Sequence, residues 1–219
     1  MCSGLRLVGG DWPKSPSQVR PYCYIENTKR HYWWCPDCDL VFLDPQQRPD
    51  PGSERERYLS HNNDPGDPRY EKYLSLVVQP IIDEKAENSE PVLVLDYGCG
   101  PTTGIETLWS GHDLSVESYD PFFYPNLPLE PKHRFDYVIS CESAEHFYEP
   151  HQDWYKISQL LKPDGKVILR TGWRPPTMEE FKKWGYHHDP THVCFYSAKT
   201  VEWLRQNFKI EIRTVGLWN

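Results

Sequence analysis

The fold of this chain is decided by residues 92–101, which read VLVLDYGCGP. Four apolar residues predict a short buried strand, and two glycines follow where the backbone must turn sharply before the next helix. In parallel α/β sheets such turns lie at the carboxyl edge, where cofactors bind. Residues 92–101 therefore predict a cofactor loop, with an ordinary strand-to-helix turn as the plain alternative.

A nicotinamide-dinucleotide site is the rival interpretation of this loop. Its usual fingerprint has a third glycine three positions after the second, where this chain has Thr103. Asp96, two places before Gly98, also suits a cationic amino-acid ligand better than it suits a pyrophosphate. The residues thus favour a cofactor that carries a positive charge.

From Asp67 onward, helical and extended patterns alternate along the sequence. Asp67-Pro68 combines a capping residue with a proline at the first helical position. Further strands are predicted at 114–119, 135–140, 166–170 and 210–212, and helices at 102–110, 154–161 and 201–208. This alternation predicts an α/β fold with a doubly wound, mainly parallel sheet.

The pattern Asp96-x-Gly98-x-Gly100 resembles the first motif of class I S-adenosylmethionine-dependent methyltransferases. The resemblance implies a Rossmann-like core in which these three residues hold the methionine part of the cofactor. Thr102 stands where the family usually has a glycine. Asp120, which closes the next predicted strand, matches the acidic residue that grips the ribose hydroxyls, a task that suits a carboxylate.

The chain departs from this family after Asp120. Only 14 residues separate Asp120 from Phe135, which is too short for the helix, strand and helix usually found there. The third strand is therefore predicted to be missing or reduced. Phe122, Phe123 and the turn at Cys141-Glu142 become the candidates for completing the adenine pocket.

Two clusters are candidates for the reaction site. Residues 141–146 read CESAEH and follow a predicted strand, and residues 184–196 read WGYHHDPTHVCFY, which resembles a bacterial-type group of small methyltransferases. Neutral imidazole can act as a base or as a metal ligand. We therefore predict Glu142, His146 and His192 as catalytic residues. The alternative is that Glu142 touches only the cofactor, that His146 begins a solvated helix and that the other histidines cap or pack.

The first 50 residues carry a cysteine pattern of their own. Cys35-Pro36-Asp37-Cys38 resembles half of a zinc knuckle, and Cys23 precedes it. A structural zinc needs about four protein ligands, so His31, Cys2 or an outside group would complete the set; a decayed knuckle with free thiols is the alternative. The predicted organisation is a zinc-knuckle-like segment at 1–50, a linker or lid at 51–66 and a methyltransferase domain at 67–219.

Composition limits the partners and the compartment. The net charge of -8 argues against nonspecific attraction to nucleic acid or anionic membrane. No apolar run approaches the ~20 residues of a membrane span, and seven cysteines without the spacing of a secreted disulfide framework indicate the cytoplasm. The expected function is methyl transfer to a small molecule. A methyltransferase for RNA or protein and a noncatalytic cofactor- or zinc-binding module are the alternatives.

Overall fold

The computed structural model describes residues 19–85, 91–111, 114–127 and 130–216. The first part of the predicted 1–50 segment, with Cys2, lies outside the described residues. In chain order the elements are β1 (Arg20–Ile25), β2 (Arg30–Trp34), β3 (Val41–Leu43), α1 (Pro51–Leu59), α2 (Pro68–Glu84), β4 (Val92–Tyr97), α3 (Gly104–Trp109), β5 (Leu114–Tyr119), β6 (Phe135–Cys141), α4 (Pro150–Leu160), β7 (Leu161–Arg170), α5 (Met178–Lys183), β8 (Cys194–Phe195), α6 (Ala198–Phe208) and β9 (Glu211–Thr214).

A five-stranded sheet in the order β5-β4-β6-β7-β9 forms the centre, and all its neighbouring pairs are parallel. Its strands are apolar on both faces. Val94 and Ile139 pack with α2 and α3, whereas Leu95 and Val138 pack with α4 and α6, as expected when helices cover both faces of a parallel sheet. The predicted doubly wound α/β fold is confirmed.

The edge strand β5 has β4 as its neighbour in this sheet. Within the described parts of the connection from Asp120 to Phe135, the chain adds no further strand to the sheet. The predicted reduction of the third strand is therefore confirmed for these residues. Among the described helices, none is long and apolar enough to cross a lipid bilayer.

Helices α1 and α2 begin with the same signal, an aspartate followed by a proline. Asp67 accepts the backbone N–H of Arg69 at the start of α2, as predicted. Asp50 accepts the backbone N–H groups of Gly52 and Ser53 at the start of α1. Helix α1 thus occupies most of the segment that the sequence predicts to be a linker or lid.

The predicted helix 154–161 ends one residue earlier than expected. Leu161 belongs to β7, where it pairs with Phe135, and pairing resumes between Tyr137 and Lys166. Residues 162–165, predicted as a turn, form the irregularity between those two pairs. The assignment of Leu161 to a helix was wrong because its apolar side chain, 2% exposed, is buried equally well at the start of a strand.

A second, antiparallel sheet in the order β1-β2-β3-β8 brings distant parts of the chain together. Val41 and Phe42 of β3 pair with residues 194–195 of β8. Beside this sheet, Asp39 accepts hydrogen bonds from Arg174 and from Ser197, each 2.6 Å long. Residues 19–50 therefore share a core with the carboxyl-terminal third of the chain.

The cysteines predicted to bind zinc lie in this second sheet and its β2–β3 turn. Cys35 and Cys38 are buried in the turn. Cys23 lies in β1 and pairs with Tyr32 of β2, and Tyr32 precedes Cys35 by three residues. Three residues of strand span roughly 10 Å. Among the described residues, the one group of three or more potential metal ligands found does not include these cysteines, and zinc binding by Cys23, Cys35 and Cys38 stays a prediction.

Candidate functional site

A cavity of about 910 Å³ opens at the carboxyl ends of β4, β5 and β6. One end is formed by the glycine loop that follows β4. The rest of the lining comes from residues after β5 and β6, from the loop before β8 and from helices α1 and α2. The residues that line it include Asp96, Gly98, Gly100, Asp120, Cys141, Glu142, His146 and His192. Cofactor-side and catalytic candidates from the sequence thus border one cavity.

The glycine loop is held against the neighbouring strand by backbone hydrogen bonds. The N–H groups of Gly98 and Cys99 both donate to the carbonyl of Tyr119, at 2.8 and 3.0 Å. Gly98 has a φ of +91°, and a Cβ there would lie 2.4 Å from the Cβ of Ser143. Any larger residue at 98 would therefore strain the loop and collide with the turn after β6.

Asp96 is a buried carboxylate at the end of β4. Burial, together with the smaller effect of the negative charges of Asp120 and Glu106, raises its pKa to about 7. A desolvated acid near two other acids is stabilised by a cation. The position therefore suits a ligand that brings a positive charge.

Asp120 organises the loop from the end of β5. Its Oδ2 accepts the backbone N–H of Gly100 at 3.1 Å, and its Oδ1 accepts those of Phe122 and Phe123 at 2.8 and 3.2 Å. Burial raises its pKa, although these three hydrogen bonds oppose that rise. A carboxylate has about four acceptor positions, so Oδ2 keeps one for a ligand hydroxyl.

Other cofactor-side candidates divide between the cavity and its surroundings. Phe122 and Cys141 line the cavity, whereas Phe123 and Thr102 stand outside its lining. The ring of Phe123 lies 6.4 Å from that of Phe122. The lining of the cavity therefore includes the aromatic ring of Phe122 and the Cys141 thiol.

Glu142 follows β6 with a φ of +48°, a left-handed conformation that is uncommon for a side-chain-bearing residue. Its backbone N–H donates to the carbonyl of Arg170 at 2.8 Å, which fixes the turn. Its Oε2 lies 2.8 Å from the hydroxyl oxygen of Tyr186. Burial and the neighbouring Glu145 raise the pKa of Glu142 to about 7.

Glu145 lies behind the cavity wall and is fully buried. Its Oε2 accepts the Thr171 hydroxyl at 2.8 Å, and its Oε1 accepts the Tyr186 hydroxyl. Burial raises the pKa of this carboxyl as well. Tyr186 therefore bridges Glu142 and Glu145, and its single hydroxyl proton can serve only one of them at a time.

The two candidate imidazoles meet at the cavity wall with ring centroids 4.8 Å apart. Nδ1 of His146 lies 2.9 Å from the carbonyl oxygen of Thr191, and Nδ1 of His192 lies 2.6 Å from that of Tyr186. Burial is the main cause that lowers the pKa of each imidazole to about 4. Both rings are therefore neutral near pH 7.

The remaining histidines of the 184–196 cluster are elsewhere. His187 is fully buried and packs on Phe181 with ring centroids 5.3 Å apart, while His188 is exposed. Neither of them lines the cavity. The cluster thus divides into one cavity residue, His192, and two residues outside it.

Helix α1 contributes residues that the sequence interpretation missed. Tyr58 lines the cavity, packs edge-on against His146 at 5.1 Å between centroids, and donates its hydroxyl to Glu54 at 2.6 Å. Arg57 of the same helix pairs with Asp189 at 2.7 Å. The Asp50-Pro51 cap could have revealed this helix, because it repeats the signal of Asp67-Pro68.

A group of three potential metal ligands also borders the cavity. Ligand atoms of Glu145, His146 and His192 lie within 4.8 Å of one another. Among the residues that the structure describes, this is the only such group found. Two imidazoles and a carboxylate form a donor set typical of divalent transition metals.

Comparison with known proteins gives one family match. A family model described as a methyltransferase domain matches residues 69–215. No curated protein sequence matches the chain significantly.

Two solved structures are similar at low identity. The phosphoethanolamine N-methyltransferase 2 of Haemonchus contortus, in complex with S-adenosyl-L-methionine, has 18% identity and a TM-score of 0.45, over 70% of this chain and 40% of that chain. A chain from the Haloferax volcanii complex of the Trm112 methyltransferase activator has 16% identity and a TM-score of 0.43, over 71% of this chain and 74% of that chain. The present chain thus spans well under half of the first of these two.

Proposed function

The chain belongs to the methyltransferase-domain family, and from this premise we propose that it transfers a methyl group from S-adenosylmethionine to a small-molecule acceptor. One observation carries the proposal. A single cavity is bordered both by Asp96 and Asp120 and by Glu142, His146 and His192. Cofactor and acceptor can therefore meet within it.

The residues around the glycine loop fit this cofactor chemically. Asp96 would pair with the cationic amino group of the methionine part, which offsets the desolvation of the buried carboxylate. The free acceptor position on Asp120 suits a ribose hydroxyl, and Phe122 offers an aromatic face for adenine. S-adenosylmethionine supplies an activated methyl group, so the protein needs only to hold the nucleophile in line and to remove its proton.

We assign Glu142 the task of taking the proton of the acceptor. Its carboxylate borders the cavity, and its Oε1 accepts no hydrogen bond among the described residues but lies 3.7 Å from Nε of the buried Arg170. Its pKa of about 7 lies near the working pH, as an efficient general base requires. His146 and His192 are much weaker bases, so we assign them the task of orienting the acceptor.

A small-molecule acceptor is supported over RNA or protein by the shape and charge of the site. The cavity volume of about 910 Å³ is near the upper end of ordinary ligand pockets, which leaves room for a compact acceptor beside the cofactor. Tyr70 and Tyr73 of α2 and Tyr58 of α1 narrow its walls. The net charge of -8 gives a phosphate backbone no general attraction.

The noncatalytic alternative would be favoured if the histidine candidates faced only solvent. His146 and His192 instead border the cavity that contains the glycine loop. The position of these two imidazoles therefore favours catalysis over a binding module.

Calorimetric titration tests the cofactor assignment. S-adenosylhomocysteine should bind the full chain with measurable heat, and NAD should give none. Next, the protein is incubated with methyl-labelled S-adenosylmethionine and separated fractions of a cell extract. Label in the small-molecule fraction supports the proposal, whereas label confined to RNA or protein overturns the acceptor class. Absence of S-adenosylhomocysteine binding would overturn the function itself.

A further inference from the structure

Three potential ligand atoms of Glu145, His146 and His192 converge where the turn after β6 meets the loop before β8. Glu145 is fully buried behind the cavity wall, and both imidazoles border the cavity. The group therefore has one closed side, formed by protein, and one side that faces the cavity. Catalytic metal sites share this arrangement, since they combine protein ligands with an open coordination position.

Hydrogen bonds fix which nitrogen each imidazole presents. Nδ1 of His146 and Nδ1 of His192 each lie within hydrogen-bond distance of a backbone carbonyl oxygen. A carbonyl oxygen can only accept a hydrogen bond, so Nδ1 carries the proton in both neutral rings. Nε2 is then left with a free lone pair. Histidines that bind metals are held in this same way, by donating their other N–H to a carbonyl or carboxylate.

The carboxylate of Glu145 is likewise oriented by its neighbours. Thr171 and Tyr186 each donate a hydroxyl to one of its oxygens. Each carboxylate oxygen has a second acceptor position, so these bonds aim the group without exhausting it. Carboxylate ligands of metal ions are themselves hydrogen-bonded in this manner.

The two chain segments that supply the ligands are joined through their backbones. The N–H of Val193 donates to the carbonyl of Glu145 at 2.8 Å, and the ring of His146 is bonded to the carbonyl of Thr191. His192 lies between those two loop residues. These hydrogen bonds hold the three ligands at fixed positions relative to one another, as a functional site requires.

We infer that Glu145, His146 and His192 bind a divalent transition-metal ion whose open positions face the acceptor end of the cavity. Two imidazoles and one carboxylate suit ions such as Zn²⁺ or Fe²⁺ and not Mg²⁺ or Ca²⁺, which prefer oxygen ligands. If the proposed function holds, the acceptor should carry an oxygen atom that can occupy an open position. The imidazoles would then orient the acceptor through the ion.

The charges around the group favour a cation. Glu142 lies on the same wall and shares Tyr186 with Glu145. The nearby guanidinium of Arg57 opposes a cation, but it is paired with Asp189 at 2.7 Å. The charge of Arg57 is therefore largely neutralised, and the other guanidinium on this wall, that of Arg170, lies 3.7 Å from Glu142.

Cobalt titration of the full chain tests the inference. Protein without a histidine tag is stripped with a chelator, desalted and titrated with CoCl₂, whose visible bands report ligand type and number. One Co²⁺ per chain should bind with nitrogen and oxygen ligands. His146→Ala and His192→Ala should each weaken binding by more than the roughly 10–100-fold that loss of an outer-shell partner costs. His188→Ala, exposed in the same loop, is the matched control and should bind as the native chain does.

The outcomes separate this site from other possibilities. Sulfur-to-cobalt charge-transfer bands that disappear in Cys35→Ser would place the ion at the cysteines and overturn the inference. Binding that persists in the His146→Ala/His192→Ala double variant, or no stoichiometric binding, would also overturn it. S-adenosylhomocysteine titration of each variant checks its folding and keeps the two proposals distinguishable, because the cofactor can bind while the metal site fails.

Discussion

At the residue scale, we expect Asp96 to make the stability of the ligand-free protein depend on pH. Burial holds its pKa at about 7 in the folded protein, above the ordinary value of 3.8. The folded state thus retains a proton that the unfolded chain has released, and the associated stability is lost as pH rises through about 7. The site is arranged for a cation that arrives with the ligand, and without it the carboxylate is destabilising at alkaline pH.

Asp96→Asn should remove this pH dependence. From about pH 6 to about pH 8 the free energy of unfolding of the native chain should fall by about 1.4 kcal/mol more than that of the variant, which is the value of one pKa unit. Urea unfolding of the ligand-free protein at both pH values measures the difference. The exposed Asp164→Asn variant is the control and should follow the native chain. Parallel pH profiles of Asp96→Asn and the native chain would contradict the assignment.

Asp120→Ala should weaken cofactor binding for two reasons. The variant loses the acceptor for a ribose hydroxyl, and it also releases the backbone N–H groups of Gly100, Phe122 and Phe123. We expect a loss of roughly 1.5–3 kcal/mol in S-adenosylhomocysteine binding, the range for hydrogen bonds to a charged group. Calorimetry measures it, with Asp164→Asn again as the reference. Unchanged affinity would show that Asp120 does not contact the cofactor.

The sequence identified the cavity residues of the glycine loop better than those of the wall formed by residues 142–146 and 186–192. Asp96, Gly98 and Asp120 stand at fixed places relative to strands, so a local pattern was sufficient to find them. Tyr186 and Glu145 meet only because distant segments fold together, and no local spacing encodes that contact. His192 lines the cavity and His187 does not. This difference depends on which side of a short turn faces the cavity.

At the scale of secondary-structure elements, α1 closes one side of the site. It contributes Tyr58 to the cavity and is tied to the loop before β8 by the ion pair of Arg57 with Asp189. Its polar sequence lacks the apolar periodicity that identifies most amphipathic helices, which is why the segment was predicted as a linker or lid. The cap at Asp50 was the available signal.

Arg57→Ala should loosen α1 without unfolding the domain. Arg57 is 39% exposed and its partner 12%, so solvent screens the pair and its contribution is about 0.5–1 kcal/mol. Amide hydrogen exchange in residues 51–59 should therefore become roughly 2–5-fold faster. Glu56→Ala, an exposed change in the same helix, is the comparison and should leave exchange near that of the native chain. Equal exchange in both variants would mean that packing of Tyr58 alone holds the helix.

At the scale of the whole molecule, the small sheet and the central sheet depend on each other. Arg174 and Asp39 form an ion pair of 2.6 Å whose side chains are only 6% and 17% exposed, and Trp34 also donates to Asp39 at 2.8 Å. Composition predicted residues 1–50 as a segment separate from the domain. The pairing of β3 with β8 joins residues 19–50 to the domain, and a strand of two residues gives no recognisable pattern. Cytoplasmic location stays a prediction.

Arg174→Ala should destabilise the protein strongly, because it leaves Asp39 buried without its cation. Breaking a buried pair in this way costs about 3–5 kcal/mol, and each kcal/mol lowers the melting temperature by about 2–4 °C in a chain of this size. Calorimetric melting measures the shift. Arg69→Ala, which removes an exposed ion pair with Asp67, should melt close to the native chain. Similar melting of both variants would contradict a shared core.

The pairing of β3 with β8 has a consequence for synthesis on the ribosome. Strand β3 is translated about 150 residues before its partner at residues 194–195. At about 5–20 residues per second, β3 waits for many seconds with one edge unpaired, and an open edge invites pairing with other chains. Nascent chains should therefore need a chaperone until the last elements emerge, and ribosome stalling before residue 194 should favour aggregation.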